Sequence, residues 1–111
     1  MKIVQDHAAN GMATLRISGF IDAHTFKELE TEIASLFSRD VFKIVADLSE
    51  VEYMSLSGVG VFIRAMYQTR EHGGTLALLN PSDTAQEVIE VLGLTQALNV
   101  VKKSNRELAG K

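Results

Sequence analysis

The stretch IVADLSEVEYMSLSGVGVFI, Ile44 to Ile63, decides the fold. Phe42, Ile44, Val45 and Ala46 are nearly all apolar, with Lys43 the exception, which predicts a strand covered on both faces at the centre of a sheet. That strand is expected to run out at Asp47 into a polar connector. A hydroxyl-rich turn at Ser55 and Ser57 then feeds directly into a helix with Gly58 and Gly60 in its first turn. Val59, Phe62, Ile63 and Met66 recur at i, i+3, i+4 and i+7, and Gly73-Gly74 ends the pattern, so the helix is expected over about 57 to 72.

The same reading extends in both directions. Downstream, Thr75 to Leu79 is a second buried apolar run. Asn80-Pro81-Ser82 breaks it and can cap a third helix with the stripe Ala85, Val88, Ile89 and Leu92, closed at Gly93. A short last strand is expected at 99–102. Upstream, Ala13, Leu15 and Ile17 alternate with Thr14, Arg16 and Ser18, the period of a strand with one wet face. Asn10-Gly11 before it can supply the positive φ angles of a tight hairpin, with residues 2–8 as the partner strand. Phe26, Leu29, Ile33, Leu36 and Phe37 share a helical face, predicting a first helix over about 24 to 38. Thr25 and Glu28 have capping-box spacing, and Asp22 is a rival N-cap. The expected order is β-β-α-β-α-β-α-β: a small single-domain α/β fold with a mixed sheet, its centre near 42–47 and 75–79. Val59, Phe62, Ile63, Leu29, Ile33, Val88 and Ile89 are expected in its core.

A chain of 111 residues has room for one domain, here residues 1–111, with the polar end 102–111 expected to fray. Hydrophobic residues at 46% and charged residues at 23% exclude a disordered chain. Eleven Lys and Arg against fourteen Asp and Glu leave a net charge of -3, which argues against a direct nucleic-acid partner. With no cysteine, disulfides, thiolate metal sites and cysteine nucleophiles are excluded. The longest apolar or glycine run, Gly58 to Ile63, is far short of the roughly 18 residues that span a membrane. The N-terminus has no apolar signal region, so a cytoplasmic protein without membrane insertion is expected.

The hydroxyls at Ser55 and Ser57 stand beside helix N–H groups, an arrangement that favours negative charge and binds phosphate readily. Gly58 and Gly60 let a backbone or an anion approach. Equally, Ser55 or Ser57 is simply the helix cap. An enzyme would need Ser57 as nucleophile with His7, His24 or His72 as base. Ser55, however, stands where a G-x-S-x-G elbow has its first glycine, and the three histidines read as ordinary surface side chains. Gly58-Val59-Gly60 is followed by Ile63 where a dinucleotide fingerprint has its third glycine. The histidines have no metal-ligand spacing, so neither metal nor cofactor is expected. Lys27, Glu28, Glu30 and Glu32 read as a solvated face, and Met54, Met66 and Tyr67 as core or groove lining.

The text ADLSEVEYMSLSGVGVFI resembles the signature of the STAS domain of bacterial anti-sigma-factor antagonists, approximately D-L-S-x-V-x-[apolar]-[apolar]-D-S-[ST]-G-[apolar]-G. Asp47, Leu48, Ser49, Val51, Tyr53, Met54, Ser57, Gly58, Val59 and Gly60 match. SGFIDAHTFKELE resembles the family's approach to its first helix, with Gly19, Ile21, Asp22 and Thr25 in place, and EVIEVLGLTQALNV is similar to the end of its third helix. The resemblance implies a protein-binding module of a partner-switching system. Its partner would be an anti-sigma factor that is also a serine kinase, with a serine phosphatase as a further partner. An alternative on the same fold is the STAS subunit of a lipid-transport type transporter assembly. Two positions depart from the pattern: Ser55 replaces the acid, and Leu56 replaces the phosphoacceptor serine. Leucine cannot be phosphorylated, so Ser57, and after it Ser55, become the candidate acceptors. The expected partner surface comprises Asp22, His24, Ser55, Leu56, Ser57, Gly58 and Gly60.

Overall fold

The structure is a computed structural model and describes residues 1–103. The elements are β1 (Lys2–His7), β2 (Ala13–Ile21), α1 (Phe26–Ser38), β3 (Lys43–Met54), α2 (Leu56–Glu71), β4 (Thr75–Leu79), α3 (Asp83–Val91) and β5 (Val100–Val101), in the expected order. They build one five-stranded sheet, ordered β1-β2-β3-β4-β5. β1 is antiparallel to β2, and the later pairs are all parallel. β3 is therefore central, flanked by β2 and β4.

Each parallel crossover steps in the same direction along the sheet. Right-handed connections then put all three helices on one face. Burial agrees: Ala13, Leu15, Ile17, Ile44, Ala46, Leu48, Leu76 and Leu78 lie inside. Their alternates Thr14, Arg16, Val45, Asp47, Ala77 and Leu79 are half-buried or exposed. The expectation of a central strand covered on both faces is thus corrected. Val45 sits on the open face, where a β-branched residue suits a strand without being enclosed.

A second correction concerns the length of β3. Instead of ending at Asp47 it runs twelve residues to Met54, paired along its second half with Ser18–Ile21 of β2. Register shifts fall between Arg16 and Ser18 and between Gly19 and Phe20. They change the buried spacing to Leu48, Val51 and Met54, so the period of two that marks a strand is lost there.

The hairpin is also looser than Asn10-Gly11 suggested. The Gly11 N–H donates to the Ala8 carbonyl (3.1 Å) and the Ala8 N–H to the Met12 carbonyl (2.9 Å). Gly11 alone of the pair has positive φ, at 87°, the pattern of a three-residue loop closing on a glycine bulge.

The helices begin close to their expected starts. Ser82 caps α3 by accepting from the Ala85 N–H (3.2 Å). Thr25 occupies the N-cap position of α1, but its side chain is bonded within the preceding turn and does not cap the helix. The core expectation holds for Val59, Phe62, Leu29, Ile33 and Ile89. Ile63 and Val88 are only half-buried at its rim, and Leu92 is exposed. Of the expected frayed end, Lys102 and Lys103 are exposed, with the Lys103 N–H on Asn80 Oδ1 (2.7 Å). The remainder, 104–111, lies outside the described residues.

Candidate functional site

β2 and β3 run parallel and end side by side, at Ile21 and Met54, in register. The segments leaving the two strands therefore emerge at one end of the sheet: the turn Asp22–Thr25 after β2, and α2 after β3. Such carboxyl ends are where open α/β sheets commonly carry function.

Ile21 locks the two together. Its carbonyl accepts the Ser55 N–H at 2.8 Å. Its side chain also fills the space beside Gly58, where an added Cβ would lie 2.6 Å from Ile21 Cγ2 and 3.1 Å from Met54 Cγ. Gly58 is buried, so it serves the site by close packing from within and not as a contact surface or an anion port. Gly60 is half-exposed, and a Cβ there would meet only the guanidinium end of Arg64, at 3.2 Å.

Ser55 is the N-cap of α2: it is extended, with φ -89° and ψ 173°, and its hydroxyl accepts the Gly58 N–H at 3.4 Å. Of the two serines left open as caps, Ser55 has that role. Leu56 and Ser57 come next as the first two helical residues, whose N–H groups no intrahelical carbonyl can reach. Leu56 projects outward and is 69% exposed, while Ser57 is half-buried.

The neighbouring turn is equally fixed. The Asp22 N–H donates to Thr25 Oγ1 (2.9 Å), and that hydroxyl donates to the Phe20 carbonyl (2.8 Å). The Thr25 side chain thus ties the turn to β2, which is why it does not cap α1. Asp22 likewise does not cap the helix: its Oδ1 accepts the His24 N–H at 2.9 Å. That hydrogen bond, more than the Thr25 hydroxyl 3.3 Å away, holds the Asp22 carboxyl below the usual carboxylate range against the opposing effect of burial. A fixed anion therefore stands beside Leu56 and Ser57 at neutral pH.

Sequence reasoning overlooked the aromatic part of this end. Phe20 (50% exposed) and Tyr53 (44% exposed) are register partners on the two strands, their ring centroids 6.2 Å apart. With Leu56 they put three large apolar side chains in water at the end of β2 and β3. The signal was available for Phe20, which falls on the solvent phase of the alternation Thr14, Arg16, Ser18.

The three histidines are not gathered around Ser57. His24 is near, on the Asp22 turn. His72 caps the far end of α2, about 20 Å away at 1.5 Å per residue. His7 lies at the opposite end of the sheet, paired with Ala13. His72 is not a plain surface residue either: its ring stacks on Phe42 at 4.0 Å, and Phe42 stacks on Phe37 at 5.3 Å. Among the described residues, no three His, Asp or Glu side chains form a metal-binding group. Three concavities among the described residues lie elsewhere, and Ser57 lines none of them. One, of about 440 Å³, lies between α1 and α2, lined in part by Tyr67 and bordered by the Arg64–Glu30 ion pair (2.7 Å). A second, of about 330 Å³, is on the open face of the sheet, and a third, of about 250 Å³, lies beside Phe42 and His72. Glu30 is thus paired rather than part of a plain solvated face, and Tyr67 lines a groove. The end at Leu56 carries exposed apolar side chains and the fixed Asp22 carboxylate, features suited to contact with another protein.

Comparison with known proteins agrees with this geometry. The family model described as "STAS domain" matches residues 4–106. The anti-sigma F factor antagonist of Lysinibacillus sphaericus is 32% identical over 81 residues, covering 72% of this chain and 69% of that protein. The anti-sigma-B factor antagonist of Listeria monocytogenes is 29% identical over 84 residues, covering 76% and 74%. Among solved structures, the unphosphorylated form of the anti-sigma factor antagonist SpoIIAA superposes with a TM-score of 0.81 at 22% identity, covering 97% of this chain and 93% of that one. The phosphorylated form of the Bacillus SpoIIAA gives 0.75 at 23% identity, covering 98% and 97%. With the signature residues set at the carboxyl ends of β2 and β3 and the family model spanning nearly its whole length, the chain belongs to the STAS domain family.

Proposed function

We propose that the chain is a binding module of a partner-switching system, not an enzyme, and that it docks an anti-sigma factor through Phe20, Tyr53 and Leu56, with Asp22 and His24 at the margin. The observation that carries this reading is the exposure of Leu56 on a helix start held rigid by Ser55 and Ile21. Large apolar side chains in water at the end of a stiff frame mark a surface that a partner covers. Burying Leu56 contributes about 1.5 to 3 kcal/mol, and the Asp22 carboxylate favours a basic group on the partner's rim. The names of relatives such as the anti-sigma F and anti-sigma-B factor antagonists favour this reading over a transporter subunit.

Control by phosphate rests on Ser57 in this reading. Leu56 has no hydroxyl, and the Ser55 hydroxyl is engaged in capping. A phosphate on Ser57 adds about -1.5 to -2 charge beside Asp22 and meets the unpaired N–H groups of the first turn. The helix tolerates it while the partner surface gains charge. The kinase is the anti-sigma factor itself, and a serine phosphatase reverses the step.

Calorimetric titration with the cognate anti-sigma factor tests the docking. L56D should abolish binding while the thermal melt stays unchanged, and unchanged affinity would place the interface elsewhere. Intact mass spectrometry after incubation with that kinase and ATP tests the switch. A gain of about 80 Da, for one phosphoryl group, lost in S57A supports it. No gain leaves a module that binds without a switch.

A further inference from the structure

β1 is the edge of the sheet, and its outer side is unpaired among the described residues. Such an edge is a template for another strand unless its side chains prevent pairing. Which of its backbone groups point outward is set by the hairpin. The Ala8 N–H bonds the Met12 carbonyl, and the register Lys2↔Ser18 through His7↔Ala13 continues that pairing without a bulge. Hydrogen-bonded and non-bonded pairs alternate in an antiparallel ladder. Lys2, Val4 and Asp6 therefore bond inward to β2, and the N–H and C=O groups of Ile3, Gln5 and His7 point away from the sheet.

The side chains alternate as well. Ile3, Gln5 and His7 lie opposite the buried Ile17, Leu15 and Ala13, on the helix-covered face. There Gln5 is held by Glu32 of α1, by Arg39 at that helix's C-cap and by His7. Lys2, Val4 and Asp6 lie on the open face and are all exposed. Among the described residues Asp6 meets only Arg16, at 3.1 Å, in an ion pair more than half exposed on both sides.

We propose that the partner of this edge is a second copy of the same chain, paired antiparallel through β1 with Val4 opposite Val4 of the second copy. The edge is self-complementary in this register. Lys2 of each copy falls opposite Asp6 of the other, on both sides of the two-fold axis, and the valines meet between them. The outward groups agree: Ile3 falls opposite Gln5, so both residues exchange backbone hydrogen bonds, about four in all. Val4, Lys2 and Asp6 then form non-bonded pairs, whose side chains stand closest. The next register that satisfies the same backbone groups sets Gln5 against Gln5 and places Val4 against Asp6, which loses both charge pairs. Lysine and acid on an edge usually guard it, but here the charges match across the axis. The pairing gives a continuous ten-stranded sheet and leaves the carboxyl ends of β2 and β3 as they are, so it does not depend on the partner-switching role.

One six-residue strand makes a small interface, at the weak end of specific association. Sedimentation velocity from about 10 μM to 1 mM at low salt covers the range, with Kd expected on the order of 100 μM. The wild-type chain should pass from monomer to dimer across this range, and the dimer should weaken with salt. K2D and D6K should each stay monomeric, because each places like charges in both pairs. Mixed in equal amounts they should dimerise, since one then carries only acids and the other only bases at the two positions. V4K, which puts two ammonium groups on the axis from an exposed position, should be monomeric with an unchanged melt. A wild-type chain still monomeric at 1 mM overturns the proposal. So does a dimer that survives K2D and V4K, or folded K2D and D6K that do not associate when mixed.

Discussion

Replacing Gly58 by alanine tests whether the start of α2 is seated against the sheet as tightly as the geometry requires. The added methyl would stand 2.6 Å from Ile21 Cγ2, where ordinary contact begins at 3.4 Å, and 3.1 Å from Met54 Cγ. Neither neighbour can give way easily, since Ile21 is 0% and Met54 1% exposed. Nor can the helix start retreat without stretching the Ser55–Ile21 hydrogen bond of 2.8 Å. Overpacking of this kind costs about 1 to 3 kcal/mol, against a helix-propensity gain of at most about 1 kcal/mol for Gly→Ala. The net loss is about 1 to 2 kcal/mol, or roughly 5 to 15 °C in Tm for a domain of this size. The assay is thermal and urea unfolding of G58A, with I21A and the double variant completing the cycle. I21A alone should cost about 2 to 5 kcal/mol. The double variant should lose less than the sum, because removing the isoleucine side chain makes room for the methyl. A melting temperature for G58A at or above wild type, or strict additivity in the cycle, would refute the close packing of α2 on β2.

Other expectations are simpler to check. S55A removes the α2 cap and should cost about 0.5 to 1 kcal/mol in urea melts, the low end for a cap because its bond is long at 3.4 Å; S55G should cost less. F62A empties a side chain with 0% exposure and should cost about 3 to 5 kcal/mol, whereas a loss below about 1 kcal/mol would remove Phe62 from the core. The Asp22 carboxyl should titrate by NMR below the usual carboxylate range. Its pKa is lower folded than unfolded, so its contribution to stability is complete above the ordinary value and is lost as pH falls through the folded one. D22N should remove that part of the acid dependence, and an unshifted Asp22 midpoint would contradict the His24 N–H contact.

The helices were legible because their apolar residues keep the 3.6 period on one face: Leu29, Ile33 and Leu36; Val59, Phe62 and Met66; Ala85 and Ile89. β4 was legible because its apolar run is closed by Asn80-Pro81-Ser82. The second half of β3 was not, because the shifts opposite Ser18 and Phe20 break the period of two, and Ser49, Glu50 and Glu52 then read as a loop. Thr25 was legible as the residue that starts α1 but not in its role, because its hydroxyl donates to the Phe20 carbonyl rather than capping the helix. The stretch around Ser55 was legible as the start of α2, with Ser55 one of its two candidate caps. Its aromatic neighbours were not singled out, although Phe20 falls on the solvent phase of the β2 alternation.

The division of labour at this helix start bears on why leucine can stand at position 56. The N–H of Gly58 is satisfied by Ser55, the approach of α2 to β2 is set by Ile21 and Gly58, and the adjoining turn is tied by Thr25 to the Phe20 carbonyl. None of these needs a side-chain hydroxyl at 56. The residue there is free of structural duty and points into water, so its chemistry is available for contact alone. A serine at that place could carry a phosphate and let charge decide whether a partner stays. Leucine removes that choice and adds apolar area, which strengthens docking of a protein that covers it. On the proposed reading, charge control then falls to the next hydroxyl, Ser57, half-buried on the same turn. On the proposed reading, leucine at 56 alters how the module is controlled without loosening the frame that presents it.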